Sequence, residues 1–314
     1  MKKYIDVRLP WRTPFGRSSN AQIRSWRICL ACLLLLIPGA PSVLADAGER
    51  TVLKVCADPY LLPFSNRKEQ GFENKIAELF AEKLGLEGVQ YEFFPTRIGF
   101  IRNTLKAESE SGLGFKCDLV MNVSERFELA APTDPYYTST HALVLADGRG
   151  MDDVTSPEML FELIENGLKV RFGVTDRGPD QFWVFKHGLM GNIKPYQSQT
   201  GDPEVHPGLT LTKDLIAGTI DAAIVWGPTI GWYVKTLEGA ENLIVLPLSD
   251  DFSPPPVKFE FSVAMAVRYG EKEWKDQVNQ LIAENQAEIN AILEDYGVPL
   301  LPLKKSPRRD DDDD

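Results

Sequence analysis

A loop formed by Asp176, Arg177 and Gly178 stands directly before a predicted helix, an arrangement suited to anion binding. The run 170–174 predicts a strand that leads into this loop, and Pro179 suits the first position of a helix. Backbone N–H groups at a helix N-terminus, together with the positive end of the helix dipole, attract anions. A tight turn that only caps the helix explains the same three residues, so both interpretations stay open.

Polar and aromatic residues also follow two earlier predicted strands. Ligands of open α/β sheets bind outside the carboxyl ends of the strands, so we expect these residues beside a ligand cleft. The candidates are Asp58, Tyr60, Phe64 and Asn66 after the first strand, and Arg97, Arg102 and Asn103 after the second.

The sequence contains none of the arrangements that name an enzyme. It has no GxGxxG opening a helix, no P-loop, no HExxH and no GxSxG. His141, His187 and His206 are scattered, without a second histidine or a carboxylate at metal-ligand spacing. The sequence therefore predicts a protein that is not an enzyme and has no catalytic residues, no metal site and no cofactor.

The four cysteines fall into two pairs. Cys29 and Cys32 have CxxC spacing, but they lie in an apolar run that we expect to be removed. Cys56 and Cys117 remain and lie at predicted strand ends. An oxidising compartment permits a disulfide between them, but a bridge also needs close Cα atoms, so two free thiols stay the alternative.

The N-terminus has the features of a secretory signal peptide. Seven Lys or Arg residues precede an apolar run at 28–37, and small residues follow up to Ala45. We predict a signal peptide at 1–45, cleaved after Ala45, with Ala47 as the alternative. Ten apolar residues are too few to span a bilayer, so we expect a periplasmic protein without stable membrane insertion.

Composition excludes several classes of protein. The chain has 314 residues, of which 43% are hydrophobic and 25% charged, as in ordinary soluble proteins. The net charge is −11, and the predicted signal peptide is basic, so the remaining chain is more acidic still. Such a chain repels phosphate backbones, so nucleic acid is not an expected partner.

Short β-rich runs alternate with longer helical ones, which predicts an α/β fold with parallel sheets. Strands are predicted at 51–57, 89–94, 118–123, 139–146, 170–174, 220–225, 242–246 and 259–267. Helices are predicted at 71–84, 98–107, 157–165, 179–189, 211–217 and 271–296. A Pro-rich return at 249–256 indicates two lobes with a hinge and an interlobe cleft: lobe 1 at 49–146 plus 257–303, and lobe 2 at 147–256.

The segment Cys117–Tyr136 resembles the solute-binding proteins of family 3, the amino-acid type, which have the two-lobed periplasmic-binding-protein (type II) architecture. It contains Arg126 ten residues before Tyr136 of a Pro-Tyr pair. The resemblance implies that Arg126 clamps a ligand carboxylate, and a planar guanidinium suits that role. A surface Arg pairing with Glu125 or Glu128 is the alternative.

Trp226 departs from the amino-acid type. In those binders, a carboxylate that holds the ligand ammonium commonly lies five residues after the Asp of a Gly-x-x-Asp-Ala strand. That Asp is Asp221 here, so Trp226 stands at the position of the carboxylate. An indole cannot neutralise an ammonium, although its face attracts one. Packing in the cleft floor explains Trp226 equally well.

Several strings resemble more closely the MoxJ/XoxJ-type proteins, which are solute-binding-like. These strings are Val55–Pro59, Leu62–Asn66, Gly71–Ala77, Gly99–Leu105, Pro135–Tyr137, Asp221–Pro228 and Ile292–Pro299. The resemblance covers about 51–303 and implies a periplasmic accessory of a pyrroloquinoline-quinone (PQQ) alcohol dehydrogenase, especially methanol dehydrogenase.

A charged tail is predicted at 304–314, and it ends in five consecutive residues, Asp310–Asp314. A solvated, flexible tail is one interpretation, and weak capture of hard cations by carboxylate oxygens is the other.

Two functions stay open, and a third class, an enzyme of unknown type, has no motif in its support. The first is a non-catalytic accessory that binds a quinoprotein alcohol or methanol dehydrogenase. The second is an ABC-transporter receptor that binds a small polar or anionic solute such as an amino acid.

Overall fold

Twelve strands and eight helices form the part of the chain that the computed structural model describes, residues 50–303 except 177, 198–201 and 203. The strands are β1 (Leu53–Ala57), β2 (Tyr60–Leu61), β3 (Ser65–Asn66), β4 (Val89–Phe93), β5 (Leu119–Ser124), β6 (Ala131–Leu145), β7 (Phe172–Thr175), β8 (Ile193–Tyr196), β9 (Ala222–Trp226), β10 (Ile244–Pro247), β11 (Glu260–Val267) and β12 (Leu300–Leu301). The helices are α1 (Phe72–Lys83), α2 (Phe100–Asn103), α3 (Pro157–Glu165), α4 (Pro179–Lys186), α5 (Pro207–Ile216), α6 (Gly227–Thr236), α7 (Lys272–Glu284) and α8 (Gln286–Asp295). The predicted signal peptide, Arg177 and the predicted tail at 304–314 lie outside the described residues.

One curled sheet runs through the molecule in the order β4-β1-β5-β11-β6-β9-β7-β8, with β10 and β12 also paired to β6. At each end of the sheet the strands run parallel to one another. At one end β1 is parallel to β4 and β5, and at the other end β7 is parallel to β8 and β9. The predicted parallel pairing is found at the two ends of the sheet but not in its middle. There β6 and β11 run antiparallel to their neighbours, because both strands cross between the two ends of the sheet.

The two ends of the sheet are the centres of two lobes, each with its own apolar core. In lobe 1, α1, α7 and α8 pack on β1, β5 and β11. In lobe 2, one core lies on each side of β7 and β9: α3 and α4 cover one face, and α5 and α6 cover the other. The strand β6 contributes buried residues to the cores of both lobes.

The helix α1 follows its predicted bounds closely. Its apolar face, including Phe72, Ile76 and Phe80, is fully buried. Gly71 precedes the helix and donates its N–H to Asn74 Oδ1 at 3.0 Å. A Cβ at Gly71 would lie 2.0 Å from the Phe64 carbonyl oxygen, so only glycine allows this approach.

Three predicted elements have different bounds in the structure. The helix predicted at 98–107 is only the four-residue α2, which begins after Gly99 at φ 91°. The helix predicted at 271–296 is two helices, because the Asn285 side chain donates to the Leu281 carbonyl at 2.8 Å and interrupts the helix. The strand predicted at 139–146 begins earlier, at Ala131. Five of the described elements were not predicted: β2, β3, β8, α6 and β12.

A disulfide joins Cys56, at the end of β1, to Cys117, just before β5. Their Cα atoms are 5.4 Å apart, within the usual range for a bridge. Both cysteines are buried beside Ile101 and Leu105, so the bridge fixes the segment after α2 against the sheet.

Helix α6 of lobe 2 contacts the C-terminal end of α8 in lobe 1. Lys235 Nζ bonds to the carbonyl oxygens of Glu294 and Asp295, at 3.2 and 2.5 Å, where the helix dipole favours a cation. The rings of Trp232 and Tyr296 stack with centroids 4.7 Å apart. We call this contact the α6–α8 junction.

No helix formed by the described residues combines the length and the apolar composition that a bilayer crossing requires.

Gly231→Ala tests the α6–α8 junction. An alanine Cβ at this position would lie 2.1 Å from the Gly297 carbonyl oxygen, so the two backbones must separate. We expect the free energy of unfolding, measured with urea, to fall by about 1–3 kcal/mol, although alanine normally favours a helix. Gly191→Ala is the control, because nothing lies within 4 Å of its Cβ position. Equal stability of the two variants would contradict the close approach.

Candidate functional site

A cavity of about 580 Å³ opens in lobe 1, beside the carboxyl ends of β1 and β5. This volume lies within the range of small-molecule sites. The residues that line it are Cys56, Ala57, Asp58, Leu61, Ser65, Glu73, Thr96, Arg97, Ile98, Gly99, Phe100, Ile101, Arg102, Lys106, Val120, Met121, Asn122, Val123, Ser124, Phe127 and Leu129. Of the candidates predicted from sequence, Asp58, Arg97 and Arg102 therefore lie together in this cavity.

Asp58 holds the cavity's loops in place. Its Oδ1 accepts the N–H of Tyr60 at 2.8 Å, and its Oδ2 accepts the N–H of Thr96 at 2.5 Å. The Asp58 backbone exchanges two hydrogen bonds with the Ser65 hydroxyl. Both carboxylate oxygens are thus engaged by backbone N–H groups, and their structural effect is to fix the segment that carries Arg97.

Tyr60, Phe64, Asn66 and Asn103 are not among the described residues that line the cavity. Tyr60 and Asn66 pair in the β2–β3 ladder, and Asn66 also bonds to Gln70. Phe64 is buried, with its ring 5.0 Å from that of Phe72. The contacts of Tyr60, Phe64 and Asn66 therefore lie within the first loop and α1.

Neither Arg126 nor Tyr136 is among the described residues that line the cavity. The Arg126 side chain is exposed. Tyr136 is fully buried in the lobe 1 core, with its ring 4.8 Å from that of Tyr137. The chain turns after β5, where the Arg126 N–H donates to Ser124 Oγ at 3.2 Å, and the guanidinium points away from the core.

The carboxyl of Asp180, in the first turn of α4, bonds back to the end of β7. Asp180 is fully buried, and its Oδ2 accepts from the N–H and the hydroxyl of Thr175. A Cβ at Gly178 would lie 1.9 Å from Asp180 Oδ1. The Asp180 carboxyl therefore lies beside Gly178 and bonds to Thr175, while Asp176 donates its N–H to the Tyr196 carbonyl at 2.9 Å.

Trp226 packs in an aromatic group. Its ring lies 5.2 Å from that of His141 and 5.9 Å from that of Phe261. Burial lowers the pKa of His141, opposed by the hydrogen bond to the Phe259 carbonyl, so the imidazole is neutral at pH 7. The packing interpretation of Trp226 matches this arrangement.

Glu73 is the residue that the sequence analysis missed. Its side chain lines the cavity but is only 8% exposed, and its Oε1 has no hydrogen-bond partner within the described residues. Burial first, and the nearby charge of Asp58 second, raise the pKa of Glu73 to about 8. The sequence did contain a signal that this carboxyl is buried. Glu73 lies three residues before Ile76 and seven before Phe80, which places it on the apolar face of α1.

The described residues contain no group of three or more His, Cys, Asp or Glu side chains that could hold a metal ion.

Comparison with known proteins shows the class of protein to which this chain belongs. The chain belongs to the bacterial extracellular solute-binding proteins, family 3, whose family model matches residues 53–299. The family resemblance and the two-lobed periplasmic-binding-protein architecture predicted from the sequence are thereby confirmed.

The chain is similar to proteins named MoxJ, XoxJ and MxaJ. Over 292 residues, which are 88% of this chain and 97% of the relative, the chain is 26% identical to Protein MoxJ of Paracoccus denitrificans. The chain is 31% identical to periplasmic binding protein XoxJ from Methylobacterium extorquens AM1, whose crystal structure is known. The two structures superpose with a TM-score of 0.59, and the match covers 80% of this chain and 100% of XoxJ. MxaJ from Methlophaga aminisulfidivorans MPT shares the fold at 24% identity and a TM-score of 0.62, with the same coverage.

Glu73→Gln tests the burial of this carboxyl. The folded protein holds the Glu73 proton up to a pH of about 8, given its pKa, whereas an unfolded Glu ionises near its ordinary pKa of 4.5. Unfolding therefore releases a proton between these pH values, and stability falls as pH rises through this window. The wild type should lose about 3 kcal/mol relative to Glu73→Gln between pH 5 and pH 8, measured by urea unfolding.

Glu87→Gln is the matched control, because it makes the same change at an exposed position. Its stability profile should run parallel to that of the wild type. A Glu73→Gln profile that is also parallel would contradict a buried, protonated Glu73.

Proposed function

We propose that this chain is a periplasmic, non-catalytic accessory protein that binds a PQQ-dependent alcohol dehydrogenase. The observation that carries the proposal is the 31% identity to XoxJ over that protein's entire length. The strings that resemble the MoxJ/XoxJ-type proteins run from Val55–Pro59 to Ile292–Pro299, so they include both lobes.

The geometry of the site favours this function over reception of an amino acid for import. An α-amino acid needs a guanidinium for its carboxylate and a free carboxylate for its ammonium. Here Arg126 is exposed, and Trp226 packs against His141 and Phe261. The buried Asp180 carboxyl in the first turn of α4 bonds to Thr175 of β7.

A set of exposed aromatic side chains in lobe 2 suits contact with another protein. Phe182 and Phe185 on α4 are 40% and 64% exposed, and Phe252 in the nearby loop is 83% exposed. Lys186 Nζ joins the two segments, bonding to Asp251 Oδ2 at 2.6 Å and to the Ser253 carbonyl at 2.7 Å. We call these three phenylalanines the aromatic patch, and we propose it as the contact with the dehydrogenase, because aromatic residues dominate binding at interfaces.

Capture from the host periplasm tests the proposed function. Tagged protein, expressed with its own leader, is incubated with periplasmic extract, and retained proteins are identified by mass spectrometry. We expect a PQQ-dependent alcohol dehydrogenase that is displaced by excess untagged protein. Recovery of ABC permease components, or of a bound amino acid with no dehydrogenase, would favour the importer receptor instead.

The double substitution Phe185→Ser with Phe252→Ser tests the contact surface. Both side chains are exposed, so the fold should be retained while the yield of captured dehydrogenase falls at least about tenfold. Leu113→Ser is the control, because Leu113 is an 80% exposed apolar residue of lobe 1. Undiminished capture by the double variant would contradict a role for the aromatic patch.

A further inference from the structure

The cavity in lobe 1 has three chemically different zones. Its walls are apolar, and they include Phe100, Ile101, Val120, Met121 and Phe127. Its inner end holds a carboxyl, and its mouth is basic. A cavity with this order of surfaces suits a ligand that has the same three parts.

The inner end is polar and lacks partners. Glu73 contributes a carboxyl whose Oε1 is unpaired within the described residues. Buried polar groups are almost always hydrogen-bonded in native proteins, so unpaired groups beside a cavity indicate a bound polar group.

Glu73 is suited to an uncharged ligand group. Because burial raises its pKa to about 8, the carboxyl is protonated at pH 7 and offers one O–H donor and an acceptor oxygen. The other carboxylate in the cavity, that of Asp58, is engaged by two backbone N–H groups. The inner end therefore offers hydrogen bonds and no free negative charge for an ammonium.

The mouth of the cavity attracts anions. Arg97, Arg102 and Lys106 are exposed there, and no carboxylate of the described residues lies within 4.0 Å of their charged nitrogens. This concentration of positive charge stands out on a chain with a net charge of −11. Such a local field raises the concentration of anionic ligands at the opening.

We propose that the lobe 1 cavity binds an amphipathic anion: its charged group at Arg97, Arg102 and Lys106, its apolar body against the walls, and an uncharged hydroxyl or carbonyl at its far end hydrogen-bonded to Glu73. An α-amino acid does not fit this order, because its two charges lie at one end. The site belongs to lobe 1 alone and does not depend on the dehydrogenase contact in lobe 2.

Calorimetric titration of the full secreted chain with three small aromatic probes tests the proposal. 4-Hydroxyphenylacetate has the anion, the apolar body and the far hydroxyl. Phenylacetate lacks the hydroxyl, and tyramine carries an ammonium in place of the carboxylate. We expect 4-hydroxyphenylacetate to bind, phenylacetate to bind about tenfold more weakly, and tyramine to show no binding.

Substitutions in the cavity assign each part of the selectivity. Glu73→Leu should abolish the difference between the two acids, whereas Glu73→Gln should retain it, because an amide also donates and accepts. Arg97→Ala with Arg102→Ala should weaken both acids about tenfold or more and should remove most of the salt dependence of binding. Lys213→Ala, an exposed cation on α5 far from the cavity residues in sequence, should bind like the wild type.

Thermal unfolding of each variant without ligand establishes that it is folded. Three results would overturn the proposal: no binding of either acid, binding of tyramine as tight as that of 4-hydroxyphenylacetate, or unchanged discrimination between the two acids in a folded Glu73→Leu. Each result applies to the ligand site alone, because capture of the dehydrogenase is measured separately.

Discussion

The strand β6 is the element on which both lobes depend. Its 15 residues pair with β11 and β12 on the lobe 1 side and with β9 and β10 on the lobe 2 side. Every residue from Pro135 to Leu145 is buried, including one serine and two threonines. The hydroxyls of these three residues are hydrogen-bonded: Thr138 to Ser262, Ser139 to the Pro299 carbonyl and Thr140 to the Leu248 carbonyl. Burial of this strand is compatible with stability only because these bonds are made.

The two lobes, organised around the same strand, differ in what they offer to a ligand. In lobe 1 the disulfide and the Asp58 carboxylate fix the loops, and the cavity between them remains open. In lobe 2 the first turn of α4 holds the buried Asp180, whose burial raises its pKa against the effect of the Thr175 hydrogen bonds. The cavity thus lies in lobe 1 and the aromatic patch in lobe 2.

Local patterning predicts most elements, but not those whose character depends on the rest of the fold. The apolar spacing in α1 and the Pro-initiated α3 gave nearly correct bounds. Helix α6 was missed because Gly227, Pro228 and Gly231 suggest a loop, whereas Gly231 is needed for the approach to Gly297. Loop residues of the site could be placed near strand ends, which located Asp58, Arg97 and Arg102. The exposure of Arg126 depends on the turn after β5, and the burial of Glu73 depends on the tertiary packing of α1. The spacing of residues in the sequence does not determine either of these.

Among the described residues, those that line the cavity all lie between Cys56 and Leu129, and this has a consequence for how occupancy could be sensed. A ligand shifts the balance between open and closed forms only by the difference between its affinities for them. A molecule held by one lobe has the same contacts at every interlobe angle, so its arrival would leave the populations of those forms unchanged. Such a protein can carry a ligand without signalling the loaded state through its shape.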